Sequence, residues 1–160
     1  VPATDYRASD APLFDRTVDV IAEAPIVEGE RTAFDYRVAR ADLIASIRVQ
    51  SLHAEVVKRR EAYRLVVKVK DRLKGQSSKE LELRVSDDEP GYRSVALHED
   101  RLLHEPFIAF VKWEAVEGSS EPVAHWHLSP DSSAVRDKID YVLRSPAPDP
   151  HTEVEVLETR

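Results

Sequence analysis

Strict alternation of apolar and polar residues over residues 43–85 is the feature that most limits what this chain can fold into. Leu43, Ala45, Ile47 and Val49 fall on one side of an extended chain, with Ser46, Arg48 and Gln50 on the other. After Gln50 the phase slips, and Leu52, Ala54 and Val56 become the apolar set. One slip within period-2 order is what an inserted bulge residue produces, and a bulge lets a long strand bend sharply, as small barrels require. Residues 58–61 are polar and predict a turn. Tyr63, Leu65, Val67 and Val69 form the next inward face, against Arg64, Lys68 and Lys70. A turn over residues 73–78 follows, and then Leu81, Leu83 and Val85 alternate with Glu80, Glu82 and Arg84. Three strands joined by short turns form a meander. A helix over residues 62–73 is rejected because Val66, Val67 and Val69 are β-branched and the polar set has period 2.

The flanks are read the same way. Residues 1–12 hold two prolines and little periodicity, which predicts a loose leader. Val18, Val20, Ala22 and Ala24 predict a strand stopped by Pro25, and Glu28, Gly29 and Glu30 a turn. Phe34, Tyr36 and Val38 alternate with Asp35 and Arg37 and predict a second strand. Residues 87–91 predict a loop, and residues 95–103 about one helical turn. Residues 107–113 are apolar on both faces, so they predict a central strand covered on both sides. Residues 123–128 predict a short strand. Residues 129–133 offer several N-caps, and Val135, Ile139, Val142 and Leu143 recur at helical spacing. Pro146, Pro148 and Pro150 end that helix, and residues 152–157 alternate again as an edge strand or tail. The expected organisation is a leader (1–12), one β-rich domain (13–145) and a Pro-rich linker with a terminal strand or tail (146–160).

Composition narrows the function. Charged residues make up 33% and hydrophobic residues 42%, enough apolar surface to offset chain entropy. The formal charge of −7 repels phosphate backbones and disfavours nucleic acid as a partner. Lys58, Arg59, Arg60, Lys68, Lys70, Arg72 and Lys74 form the densest basic stretch, read as a solvated hairpin edge. No apolar run approaches the ~20 residues of a membrane helix. The absence of cysteine excludes disulfides, thiol nucleophiles and Cys-based zinc sites. The chain starts at Val1 and has no methionine, the mark of a processed or trimmed piece.

The middle of the chain, residues 41–143, resembles the netrin-like OB-fold barrels, the group that includes tissue inhibitors of metalloproteinases. Residues 41–52 (ADLIASIRVQSL) resemble their long first barrel strand. Residues 63–75 (YRLVVKVKDRLKG) resemble the second, residues 81–85 (LELRV) the third and residues 107–113 (FIAFVKW) the fourth. The helix over residues 132–143 sits where such domains often pack a C-terminal helix. The resemblance implies a fold and an extracytoplasmic binding or assembly role. Inhibition of that family's type needs an N-terminal cysteine on the target's metal, which this chain lacks.

Among candidate chemistry, His125 and His127 are the sharpest feature. Two apart on a strand, they project together, opposite Ala124, Trp126 and Leu128. Such a pair holds zinc or copper if a third ligand arrives from elsewhere, with His98, Glu99, Asp100, His104 and Glu105 as possible donors. The alternative is that Trp126 anchors the core and the histidines face water. Tyr92, Phe107, Phe110 and Trp113 either line a groove or fill the core. No serine stands in a Gly-x-Ser-x-Gly elbow, and four glycines leave no phosphate-cradling loop.

The sequence therefore predicts a mostly β fold, a small antiparallel OB-like barrel or sandwich with one C-terminal helix and an N-terminal β extension. The leading functional expectation is a non-catalytic module of a bacterial envelope or secreted system that binds another protein. It would be periplasmic, anchored at the outer membrane as a lipoprotein, or secreted. A metal-binding protein using His125 and His127 is the alternative, and a hydrolase with a loop-built site ranks last.

Overall fold

The computed structural model describes residues 5–19 and 32–144. Five antiparallel strands make one sheet in the order β3-β2-β1-β4-β5. They are β1 (Leu43–Val57), β2 (Arg60–Lys74), β3 (Glu80–Ser86), β4 (Phe107–Glu114) and β5 (Val123–Pro130). The helices are α1 (Ala33–Arg40), α2 (Tyr92–Leu97), α3 (Glu99–His104) and α4 (Ser133–Arg144), preceded by a 3-10 turn at Ala8–Asp10. The fold is mostly β with a C-terminal helix, as the alternation predicts.

The sheet curls because its middle strand bends. Gln50 is skipped in the β1–β2 register, where Val49 faces Val67 and Ser51 faces Val66, so the sequence phase slip is a bulge. Further shifts fall between Ile44 and Ala45 and between Ser46 and Ile47. The long hairpin turns at Lys58 and Arg59, whose φ angles are +52° and +67°. Paired positive φ values are the twist-matched geometry of a two-residue hairpin loop.

Curling gives the sheet two different faces. The inner face collects Ala45, Ile47, Leu65, Val67, Leu83, Val85, Ala109, Trp126 and Leu128, closed off by Val95 of α2 and Leu102 of α3. On the outer face Ile44, Ile108 and Phe110 meet Phe34 and Val38 of α1 and Val135, Ile139 and Val142 of α4. Residues 107–113 are thus covered on both sides, although β1 rather than β4 is the middle strand.

The strand predicted over Phe34, Tyr36 and Val38 is instead helix α1. Thr32 Oγ1 accepts from the Asp35 N–H, and Asp35 Oδ2 accepts from the Thr32 N–H at 2.8 Å. This reciprocal capping box starts a helix. Phe34 and Val38, four apart, then share its buried face. At the other end, Lys74 Nζ donates to the Val38 and Ala39 carbonyls at 2.9 and 2.8 Å. Lys74 therefore caps a helix C-terminus and is not part of a solvated edge. Gly75, at φ +80°, lies so close that a Cβ would sit 2.0 Å from the Asp42 carbonyl oxygen.

Residues 5–19 are anchored along the sheet. Asp10, read from sequence as part of a loose leader, is 1% exposed. Arg40 forks onto it with Nε and Nη2, each at 2.9 Å, and reaches Asp5 with Nη1 at 2.8 Å. Lys112 Nζ, on β4 and buried, donates to Asp5 and to Asp42 Oδ1. A buried cation survives only with such partners. Val18 forms a parallel bridge with Leu128 on the edge of β5. The other predicted strand residues Val20, Ala22 and Ala24, the turn at residues 28–30, the proline segment and residues 152–157 lie outside the described residues. No described helix is long and apolar enough to cross a membrane.

Candidate binding cleft at the open seam

The two ends of the sheet, β3 and β5, come back towards one another without pairing. Register parity shows which backbone groups each presents there. Val69 N–H bonds the Lys79 carbonyl and Asp87 N–H bonds the Glu61 carbonyl, so odd-numbered residues of β3 turn towards β2. The N–H and C=O groups of Glu80, Glu82 and Arg84 then point away from β2, into the seam. On β5, Trp126 and Leu128 bond outward to Arg16, Thr17 and Asp19, so Ala124 shares their orientation.

The seam is a wedge. At one end the Trp126 indole N–H donates to the Arg84 carbonyl at 3.0 Å and draws the strands together. Beyond it, residues 16–19 cover the edge of β5. At the other end nothing bridges the strands among the described residues, and a cleft of about 630 Å³ opens. That volume lies within the ~300–1,000 Å³ of ordinary ligand pockets. Leu81, Trp113 and Ala124, all packed against the inner core, line it.

Charge rims this cleft unevenly. Arg16 pairs with Glu89 and its Nη2 donates to the Ala124 carbonyl at 3.4 Å. Arg84 pairs with Glu82 at 3.0 Å. Hydrogen bonding from Arg84, with the charges of Arg84 and Arg64, holds the Glu82 carboxyl below the usual range against its desolvation. Both cations are thereby neutralised. The Glu80 and Glu121 carboxylates make no ion pair among the described residues, although Lys68 of β2 faces Glu80 in the ladder, and the residues lining the cleft carry one more acidic than basic side chain.

The histidine pair lies elsewhere. His125 and His127 do share the outer face of β5, as the spacing predicts, but each is already engaged. His125 Nε2 meets Glu114 Oε1 at 2.8 Å, and its ring stacks on Tyr6 with centroids 4.0 Å apart. His127 is buried; its Nε2 lies 2.6 Å from Asp19 Oδ2 and its Nδ1 3.5 Å from Asp15 Oδ1. Burial raises the Asp15 carboxyl, but the adjacent His127 ring and hydrogen bonding from Thr17 outweigh it and hold the group below its usual value. The suggested third ligands do not join them. His98, Glu99, Asp100, His104 and Glu105 sit at α2 and α3, whose Val95 and Leu102 pack on the inner face. Among the described residues, no group of three or more His, Asp or Glu side chains is placed to hold an ion. The geometry makes the pair fasteners for residues 6–19.

Of the four candidate groove aromatics, Phe107 and Phe110 are core. Trp113 lines the seam cleft, and Tyr92 lines a smaller one of about 330 Å³ beside Tyr63. Burial and the hydrogen bond to Glu99 push the Tyr63 hydroxyl up to about 12. Sequence reasoning missed Glu80, Glu121 and the outward backbone of β3, because an edge is defined only once the sheet is assembled. Compared with known proteins, the chain matches no family model, no curated protein and no solved structure.

Proposed function

We propose that this domain is a non-catalytic binding or assembly module that takes up a segment of another protein at the β3–β5 seam. The observation that carries the reading is the pair of strand edges facing each other across an open cleft, where backbone donors and the Glu82 carbonyl have no partner among the described residues. Unpaired edges are templates for strand addition, a recurring mode of peptide recognition. The apolar floor at Leu81 and Trp113 supplies contact area, and the seam's backbone supplies orientation. The netrin-like resemblance supports placing the module in a bacterial envelope or secreted system. Fractionation of the host's cells tests that setting, and a cytoplasmic pool would refute it.

Selection from a displayed library of random heptapeptides, followed by amide chemical-shift mapping, tests the site. Binders should perturb Glu80, Glu82 and Ala124. A Glu82→Pro variant should lose them, because it deletes an N–H that points into the seam and takes no part in the β2 ladder. Shifts centred away from the seam, or binding indifferent to Glu82→Pro, would refute the proposal.

A further inference from the structure

We infer that the occupant is an extended cationic peptide entering the seam as a sixth strand, antiparallel to both β3 and β5. This deepens the seam reading and rests on it.

Direction follows from topology. Every neighbouring pair in the order β3-β2-β1-β4-β5 is antiparallel, so four reversals give β3 and β5 the same direction. One strand running the opposite way is then antiparallel to both flanks, the more stable pairing on each side. The pairing stretch is short. It lies between Glu80 and Glu82 on β3 and beside Ala124 on β5, before the Trp126–Arg84 bond closes the wedge. The Ser78 hydroxyl already occupies the Glu80 carbonyl at 2.7 Å. The Glu80 N–H, the Glu82 N–H and C=O and the Ala124 N–H are therefore the groups a guest strand addresses.

Charge and alternation set the guest's chemistry. Side chains alternate across the guest as in any strand. Those turned inward meet Leu81 and Trp113, so they are apolar. Those turned outward lie beside the outward side chains of β3, where Glu80 faces Lys68 of β2 in the ladder but makes no ion pair with it, and near Glu121 on the opposite rim, which makes none among the described residues. Lys79, in the bend before β3, does not line the cleft. Cross-strand partners of opposite sign are favoured and like charges opposed. The overall charge of −7 draws cationic segments in and steers them. The chain's own alternating residues 152–157 carry Glu153 and Glu155 where the rim asks for cations, so they have the wrong sign.

Three fluorescent heptapeptides test this by anisotropy: alternating lysine–valine, threonine–valine and glutamate–valine. The lysine peptide should bind at least tenfold more tightly than the glutamate peptide and weaken as salt rises. A Glu80→Lys/Glu121→Lys variant, altered at two exposed positions, should reverse the order. Equal binding of all three at the seam would overturn the cationic occupant and leave the seam reading intact. Lysine-peptide binding that survives Glu82→Pro would place the peptide on surface charge and overturn strand addition. Silence from all three peptides and from the random library would overturn both.

Discussion

The Trp126 indole donates across the seam to the Arg84 carbonyl at 3.0 Å, so a fully buried side chain of β5 fastens the backbone of β3. The same ring fills the inner core. One residue thus sets both how far the sheet curls and where the seam stops.

Trp126→Phe keeps an aromatic ring and removes that donor along with part of the volume. Loss of one hydrogen bond and a partly filled core site together should cost about 2–3 kcal/mol. Urea unfolding measures the cost, and the Leu83 and Val85 amides should exchange faster as β3 loosens. Unchanged stability would show that the indole bond closes nothing.

Asp10 and Arg40 make the second fastening. Arg40→Met leaves a carboxylate that is 1% exposed without its guanidinium. Breaking a buried pair on one side costs about 3–5 kcal/mol, and removing both charges costs much less. Denaturation of Arg40→Met against an Asp10→Asn/Arg40→Met double variant checks this. A double variant as unstable as the single one would show that the pair's charge is not what matters.

The β-strands were legible because one face of each is buried and the chain has to alternate to achieve that. Even the bulge at Gln50 leaves a trace in the phase. Helix α1 was misread because Phe34, Tyr36 and Val38 satisfy period 2 while Phe34 and Val38 also satisfy four-residue spacing. Thr32 and Asp35, three apart, were the available signal. Of the seam, only Trp113 was legible, as one of four aromatic residues that could line a groove. Its floor residue Trp113 and its rim residues Glu80 and Glu121 are far apart in sequence, and only the curl of the sheet collects them. Buried Lys112 and Asp10 have no periodic signature, since each is tolerated by a specific distant partner.

Acid should loosen the anchoring of residues 5–15. Hydrogen bonds from Lys112 and Arg40 hold the Asp5 carboxyl well below the usual range. Burial raises Asp10, but Arg40 and the Arg7 N–H outweigh it and keep it low. Asp15 is lowered as described, and the Arg136 guanidinium lowers Asp131. A carboxyl with a folded value below the unfolded ~3.9 stabilises the fold at all higher pH and loses that contribution as pH falls through the folded value. Melting temperature should therefore be insensitive to these groups above about pH 5 and fall below about pH 4. Asp10→Asn should flatten the acid limb. An equally steep limb in that variant would remove Asp10 from the explanation.

Gly91 shows how closely the covering segment is fitted. A Cβ there would lie 1.7 Å from the Arg16 carbonyl oxygen and 2.8 Å from the Thr17 nitrogen. Its φ of −77° suits any residue, so the effect of Gly91→Ala is steric and falls on residues 16–19. Those residues bond the β5 edge through the Arg16 N–H at 2.7 Å and the Asp19 N–H at 2.8 Å, and the Val18 N–H bonds Ser94 Oγ at 2.9 Å. Forcing backbone apart should cost about 1–3 kcal/mol. Exchange should accelerate at the Arg16, Val18, Asp19 and Leu128 amides while the β1–β2 ladder stays protected. Displacing the segment also draws the Arg16 guanidinium away from the Ala124 carbonyl, which gives the seam one more acceptor for a guest. The variant should then hold the lysine–valine peptide at least as tightly as the parent despite its lower stability. Protected Asp19 and Leu128 amides in Gly91→Ala would mean that the segment adjusts around the methyl group and stays in place.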